Sequence, residues 1–202
     1  MSIEDWRMTN QTIEEVLANI IVPTASKQEN AVLLHNFVRE KIKFGFNKYF
    51  DATPPDYTLA CGFGHCNAKS RLIVAFFRSI NLVAYQHFVA IPKDILRGAI
   101  PPNQFWMLPS ELSHSYVEVK IEDSWWQIDS FTIDTPYLKA AQTRLAREGK
   151  SIGYGVRLDS DHIWDGKAIL SHNSIRVFWL KTMVELTILM PILEAISIAT
   201  AS

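Results

Sequence analysis

Cysteine is nearly absent: Cys61 and Cys66, five positions apart, are the only two in 202 residues. Two close thiols are no disulfide framework of the kind small secreted domains use, so a reducing cytoplasm is the expected setting. Charge of one sign is lacking as well. Lys and Arg number 20 against 21 Asp and Glu, the formal charge is −1, and no basic cluster stands out. A nucleic-acid partner is therefore not expected. The opening stretch, MSIEDWRMTN, is acidic and carries no apolar segment, so a secretory leader is not expected either. No internal repeat and no low-complexity tract interrupts the chain, which reads as a single domain over 1–202 with enough length to bury a true core. A clean apolar run of membrane-spanning length is also missing. Residues 176–199 come nearest, but Lys181, Glu185, Pro191 and Glu194 interrupt them, and each charge is costly at mid-bilayer. A packed C-terminal helix, or one used in self-association, is the expectation there, with no membrane partner.

Glycine is scarce too, at 8 residues, which draws the eye to Gly62 and Gly64. They precede Cys66 and a run, Asn67 to Ile80, whose residues Ala68, Leu72, Ala75 and Phe76 fall at helical spacing. Ile73, Phe77 and Ile80 widen that stripe, and Asn81 offers a left-handed stop. A thiol at the first position of a helix sits beside unpaired backbone N–H groups and the positive end of the macrodipole, so its thiolate is favoured. The same N–H groups can stabilise a developing oxyanion. A lone cysteine is by itself more often a buried structural residue, so what accompanies it decides the matter.

Upstream, residues 12–21 read as a short amphipathic helix stopped by Pro23. Ser26 and Glu29 have capping-box spacing, and Val32, Leu33, Phe37, Val38 and Ile42 give the next helix its expected core face. Residues 44–60, with Gly45, Asn47, Pro54, Pro55 and Asp56, read as an irregular crossing segment. Its Phe44, Phe46, Tyr49, Phe50 and Tyr57 are candidates to line a pocket or simply to cover the core. Downstream, residues 82–91 predict a strand. The Pro- and Gly-punctuated stretch 92–110, carrying Phe105, Trp106 and Met107, is a candidate lid or specificity loop. Asp134-Thr135-Pro136 opens a helix to about Glu148 that Gly149 closes, and the segment after it reads as loop, with a turn at Asp165-Gly166.

Residues 113–131 predict a hairpin whose geometry follows from parity. Alternation sets Val117, Val119 and Ile121 on one face and His114, Tyr116 and Glu118 on the other. With Glu122-Asp123 as the turn, Val117 and Val119 stand opposite Ile128 and Trp126, and Tyr116 opposite Asp129. His114 and Asp129 are then diagonal neighbours on the polar face, within reach of an imidazole–carboxylate hydrogen bond. His87, on the preceding strand, reads as structural or pocket-lining.

A thiol at a helix start and a histidine with a same-face carboxylate are the nucleophile, base and orienting group of covalent acyl chemistry. The expected catalytic residues are Cys66, His114 and Asp129, with no cofactor and no metal. Two other readings compete. Cys61, His65 and Cys66, with His87 or His114, could make a metal site, although adjacent ligands fit a tetrahedral centre poorly. Or the chain is a binding module without turnover.

The stretch GHCNAKSRLIVAFFRSINLVAY resembles the cysteine, helix and strand motif of the transglutaminase-like superfamily. SHSYVEVKIEDSWWQID resembles its histidine and aspartate strands, including the tryptophans before the aspartate, and the helix at 26–42 with Phe44 resembles the upstream part. The resemblance spans about 26–134. It implies an α+β, papain-like core, with the nucleophile at the N-terminus of a central helix packed on an antiparallel sheet. It also implies a Cys66, His114, Asp129 triad working through a thioester acyl-enzyme. A peptide, a small acyl substrate or a carrier-protein-bound acyl group is the implied partner, and amine, carbon nucleophile or water the acceptor. His65 directly before the nucleophile, and Asn81 to Tyr85 in place of a glycine-centred helix end, depart from the pattern. Residues 150–202 lie outside it.

Overall fold

The computed structural model describes residues 11–96, 102–150, 152–153, 156–159 and 163–166. The apolar segment at 176–199, and with it the self-association reading, lies outside them. Among the described residues no helix is long and apolar enough to cross a membrane.

Local chemistry sets the first helices. Thr12 and Glu15 close a capping box on α1 (Ile13–Ile20), and Ser26 and Glu29 close another on α2 (Lys27–Lys41). Each satisfies backbone donors that would otherwise lack partners, worth about 1 kcal/mol. The buried face of α2 is rotated from the apolar reading. Ala31, Leu34, His35 and Val38 are buried on it, whereas Leu33 is exposed. The reason is His35, a polar residue that apolar periodicity passes over, held inside by hydrogen bonds to Ser130 and Asn36.

The crossing segment is more regular than its composition implied. After the short strand β1 (Lys43–Phe44), a 3₁₀ turn at Phe50–Ala52 leads into the helix α3 (Pro55–Cys61). The two prolines start this helix rather than break it: Pro54 is the N-cap and Pro55 the first helical residue, where no N–H is needed. Gly62 ends it in the left-handed region at φ 69°. The strand β2 (Phe63–Gly64) then pairs in parallel with β1. Gly64 is required by space, since a Cβ there would meet Thr58 at 3.0 Å and Ala68 at 3.1 Å.

Next comes α4 (Cys66–Ser79), followed by Asn81 at φ 58°, the left-handed stop. The sheet is antiparallel in the order β3 (Val83–Pro92), β4 (Glu111–Ile121), β5 (Ser124–Ile128). Its hairpin register is the one parity predicts, with Val117 opposite Ile128 and Val119 opposite Trp126. Leu72, Ile73, Phe76 and Phe77 of α4 join Val117, Val119 and Ile121 of β4 and Leu34 and Val38 of α2 in one buried cluster. Each such side chain contributes roughly 1.5–3 kcal/mol on burial, so α4 is held from two sides. Between β3 and β4 lies a 3₁₀ turn (Lys93–Leu96) and the short helix α5 (Pro102–Phe105). Phe105 is buried there, while Trp106 and Met107 are exposed. Asp134 caps α6 (Thr135–Arg147). The stretch after α6, read as loop, holds a small antiparallel ladder of β6 (Ile152–Gly153) and β7 (Val156–Arg157).

Candidate active site

Cys66 is the first residue of α4, and His65 is its N-cap without a side-chain capping bond. The first turn of the helix therefore has no side-chain oxygen seated on it from that position. The sulfur is buried, at 1% residue exposure. Below it the helix is fixed by polar bonds that apolar periodicity did not reveal. The Ser70 hydroxyl accepts from Ser115 on β4 at 2.9 Å, and the fully buried Lys69 ammonium donates to the Ile42 carbonyl at 2.6 Å. Burial pushes the Lys69 amine down to about 7, against the opposing attraction of Asp134.

His114 lies on β4 and is buried, and its Nε2 is 3.8 Å from Oδ2 of Asp129. Asp129 sits one residue past β5, where its carbonyl accepts from Thr132 in a tight turn. The expected polar face of the hairpin is covered here: Asp129 is 3% exposed, and Tyr116 beside it is buried. Burial alone would strip the His114 ring of its proton. The charge of the Cys66 sulfur, together with the pull of the Asp129 carboxylate, outweighs that and raises the ring to about 10. The structure thus brings Cys66, His114 and Asp129 together, with the ring between sulfur and carboxylate.

His87 is not part of this group. It stacks on Tyr116 at 5.0 Å and lies 3.2 Å from Glu118 on the partly exposed face of the sheet. Nor do Cys61, His65 and Cys66 gather with His87 or His114 as metal ligands: among the described residues no group of three or more His, Cys, Asp or Glu is so arranged. Neither cysteine is in a disulfide.

One neighbour of the sulfur, Asn67, and the two residues that hold its side chain, Asp51 and Ser113, were missed by sequence reasoning. Asn67 receives the Cys66 thiol on its Oδ1 at 3.5 Å, and its Nδ2 donates to Asp51 at 2.6 Å. Ser113, at the start of β4, lies 3.4 Å from the same Nδ2. Asp51 also pairs with His65 at 2.8 Å. Adjacency to Cys66 was a signal for Asn67. Asp51 left none, because it reaches the site from the aromatic loop well upstream. In that loop Phe46 and Phe50 stack on the His65 ring at 5.2 and 4.9 Å, so both rings reach the start of α4. A separate cavity, about 380 Å³ and lined by Lys27, Asn81, Val83 and Lys120 among others, lies at the other end of α4 and holds none of these residues.

The curated proteins and the solved structures hold no match to the chain. Residues 14–130, more than half of its length, do match the family model of the transglutaminase-like superfamily. That span begins in α1 and ends just past Asp129, so it takes in α4, the whole sheet and each residue around the sulfur. With this match, and with a mixed α+β fold whose helix α4 packs against an antiparallel sheet, the chain belongs to the transglutaminase-like superfamily.

Proposed function

We propose that the protein is a cysteine-dependent acyl-transfer enzyme in which Cys66 is the nucleophile, His114 the general base and acid, and Asp129 the group that orients the ring. The observation that carries this reading is the placement of His114, buried, with its Nε2 3.8 Å from the Asp129 carboxylate and its proton held by the charge of the Cys66 sulfur. An imidazolium there favours the thiolate, and the carboxylate compensates the buried cation. In the first half-reaction the sulfur attacks the donor carbonyl. The C–S bond of a thioester forms, the bond to the leaving group breaks, and His114 gives that group its proton. In the second half, an acceptor loses a proton to His114, attacks the thioester and releases Cys66. The backbone N–H groups at the start of α4 stabilise the oxyanion of both tetrahedral intermediates in this reading.

The donor is an amide, a peptide or a thioester, small or carrier-bound, and the acceptor an amine, a carbon nucleophile or water. The aromatic rings of Phe46 and Phe50 beside the helix start, and the small net charge, suit an apolar acyl group or a peptide better than a polyanion. Intact-mass analysis after incubation with amides, peptides and thioesters tests the reading. The expected result is an acyl adduct on the wild-type protein and none on Cys66→Ala. An adduct that persists in Cys66→Ala, or none on either protein across the three donor classes, overturns it.

A further inference from the structure

The sulfur has a second partner besides His114, the Asn67 side chain, and Asp51 behind it pulls the other way. Asp51 accepts from Nε2 of His65 at 2.8 Å and from Nδ2 of Asn67 at 2.6 Å, both on the same oxygen Oδ1. Those two donors flank Cys66 in sequence, so one carboxylate oxygen grips the chain on both sides of the nucleophile. A carboxylate can only accept, so the Asn67 carboxamide must turn its NH₂ toward Asp51. Its oxygen is then left facing the sulfur, 3.5 Å away, where it accepts the thiol proton. The contact of the same NH₂ with the Ser113 hydroxyl at 3.4 Å supports that rotamer, while Gln86 donates to the Asn67 backbone carbonyl at 3.0 Å and steadies the main chain there. A thiolate in that position would meet the oxygen, the negative end of a carboxamide whose NH₂ is turned to a carboxylate.

The loop that delivers Asp51 is built for that purpose at a local cost. Phe50, immediately before it, holds φ at 45°, a left-handed backbone that disfavours a bulky side chain. Asn47 receives the Tyr49 N–H at 3.0 Å and the Thr53 hydroxyl at 2.8 Å, and Arg71 of α4 donates to the Thr53 carbonyl at 2.8 Å, so the turn is held at three points. Burial opposes the charge on Asp51, but the hydrogen bonds from His65 and Asn67 and the charges of His65 and Arg71 keep the carboxyl below its usual range. Facing the sulfur, the titratable groups are His114 from β4 and, beyond it, Asp129; facing Asp51 they are His65 and Arg71 of α4.

We propose that Asp51 is a positioning residue for the nucleophile: by locking the Asn67 carboxamide oxygen toward the sulfur, it biases Cys66 toward the thiol against the bias that His114 supplies. The opposition has a chemical use. A thiolate stabilised too strongly is a weak nucleophile, because nucleophilicity falls with basicity. Asp51 keeps the sulfur basic while His114 keeps it ionisable.

The test is a pH titration of the Cys66 thiolate by its ultraviolet absorbance, in a Cys61→Ala background with the Cys66→Ala spectrum subtracted, which needs no reagent to reach the buried sulfur and no knowledge of the substrate. Asp51→Asn removes the charge and frees the Asn67 amide to turn. The ionisation midpoint is expected to fall by on the order of one pH unit. Asn67→Ala, which leaves the Asp51–His65 bond in place, is expected to shift it the same way by less, and decides the matter should Asp51→Asn fail to fold. A midpoint that stays put or rises in the folded variants overturns the proposal, even where the unfolding temperature drops, since a merely structural Asp51 would lower stability alone. Because ionisation is read without turnover, the outcome stands whether or not the acyl-transfer reading does.

Discussion

Two histidine–carboxylate pairs accompany Cys66, and they differ in the way that matters. His65 and Asp51 are 2.8 Å apart, His114 and Asp129 3.8 Å apart, so contact length alone would choose the first pair for catalysis. Surroundings choose the second. His65 has one ring edge committed to Asp51 and its face covered by Phe46 and Phe50, whereas His114 is influenced by the charge of the sulfur as well as by its carboxylate. At 3.8 Å the second contact is an ion-pair distance and longer than a hydrogen bond, so it is the surroundings of each ring that separate the two. What distinguishes a base from a brace is the third partner, not the strength of the pair.

The sharpest way to break this comparison is to remove each ring. His114→Ala is expected to cost about 10³–10⁴ in kcat/KM, combining loss of proton transfer with loss of the thiolate's counter-ion. His65→Ala is expected to cost less than about tenfold by the same scale. Parallel kinetics on both variants would exchange the roles if the order came out reversed.

The carboxylates give the next contrast. Asp129→Asn should leave the fold intact, since the amide fills the same buried space, and cut kcat by about 10²–10³. That is less than the roughly 10⁴ of the equivalent change in a serine protease, because a thiolate is intrinsically more nucleophilic. An Asp129→Asn protein that turns over normally, at an unchanged unfolding temperature, would detach Asp129 from the reaction.

A smaller effect separates the pairs by pH. The His114 ring is raised from 6.5 to about 10, so it holds its proton through neutrality and loses it only as the pH climbs through the upper value. Activity that needs the imidazolium should therefore stay level across pH 7 to 8 and decline on an alkaline limb near 10. An alkaline limb close to 6.5 in kcat/KM would mean that the sulfur and Asp129 do not hold the ring as drawn.

How much of this was readable beforehand follows from which forces write themselves into local sequence. The α4 stripe, the capping boxes and the hairpin register are set by periodicity and by side chains three or fewer positions apart, and His114 and Asp129 fell out of parity alone. Asp51, Ser130 and Lys69 act across the fold: Asp51 meets Asn67 over 16 positions and His35 meets Ser130 over 95. No spacing rule covers such pairs. The rotation of α2 has the same origin, because a buried histidine counts as polar until its partner is known. Pro54-Pro55 misled for another reason. Proline punctuates a helix at its start as readily as it breaks one, and only the following turn tells which.

Ser130 carries the smallest expected effect on activity and tests whether the scaffold or the pair holds Asp129. It is the residue next to Asp129, fully buried, and its hydroxyl lies 2.7 Å from Nε2 of His35. The other ring nitrogen faces the Asn36 side-chain oxygen at 3.2 Å, an acceptor, so the ring proton belongs on Nδ1 and Nε2 accepts from Ser130. This bond ties the turn after β5 to α2, while the His35 ring packs at 5.3 Å from that of Trp164. Ser130→Ala leaves a buried nitrogen without its donor, at about 1–3 kcal/mol of stability. If His114 holds Asp129 by itself, kcat/KM should change by no more than a few-fold while denaturant unfolding shows the loss. A drop in kcat approaching that of Asp129→Asn would show instead that the carboxylate is aimed from α2, through His35 and Ser130, and that the working unit extends past the ring and its carboxylate into the core.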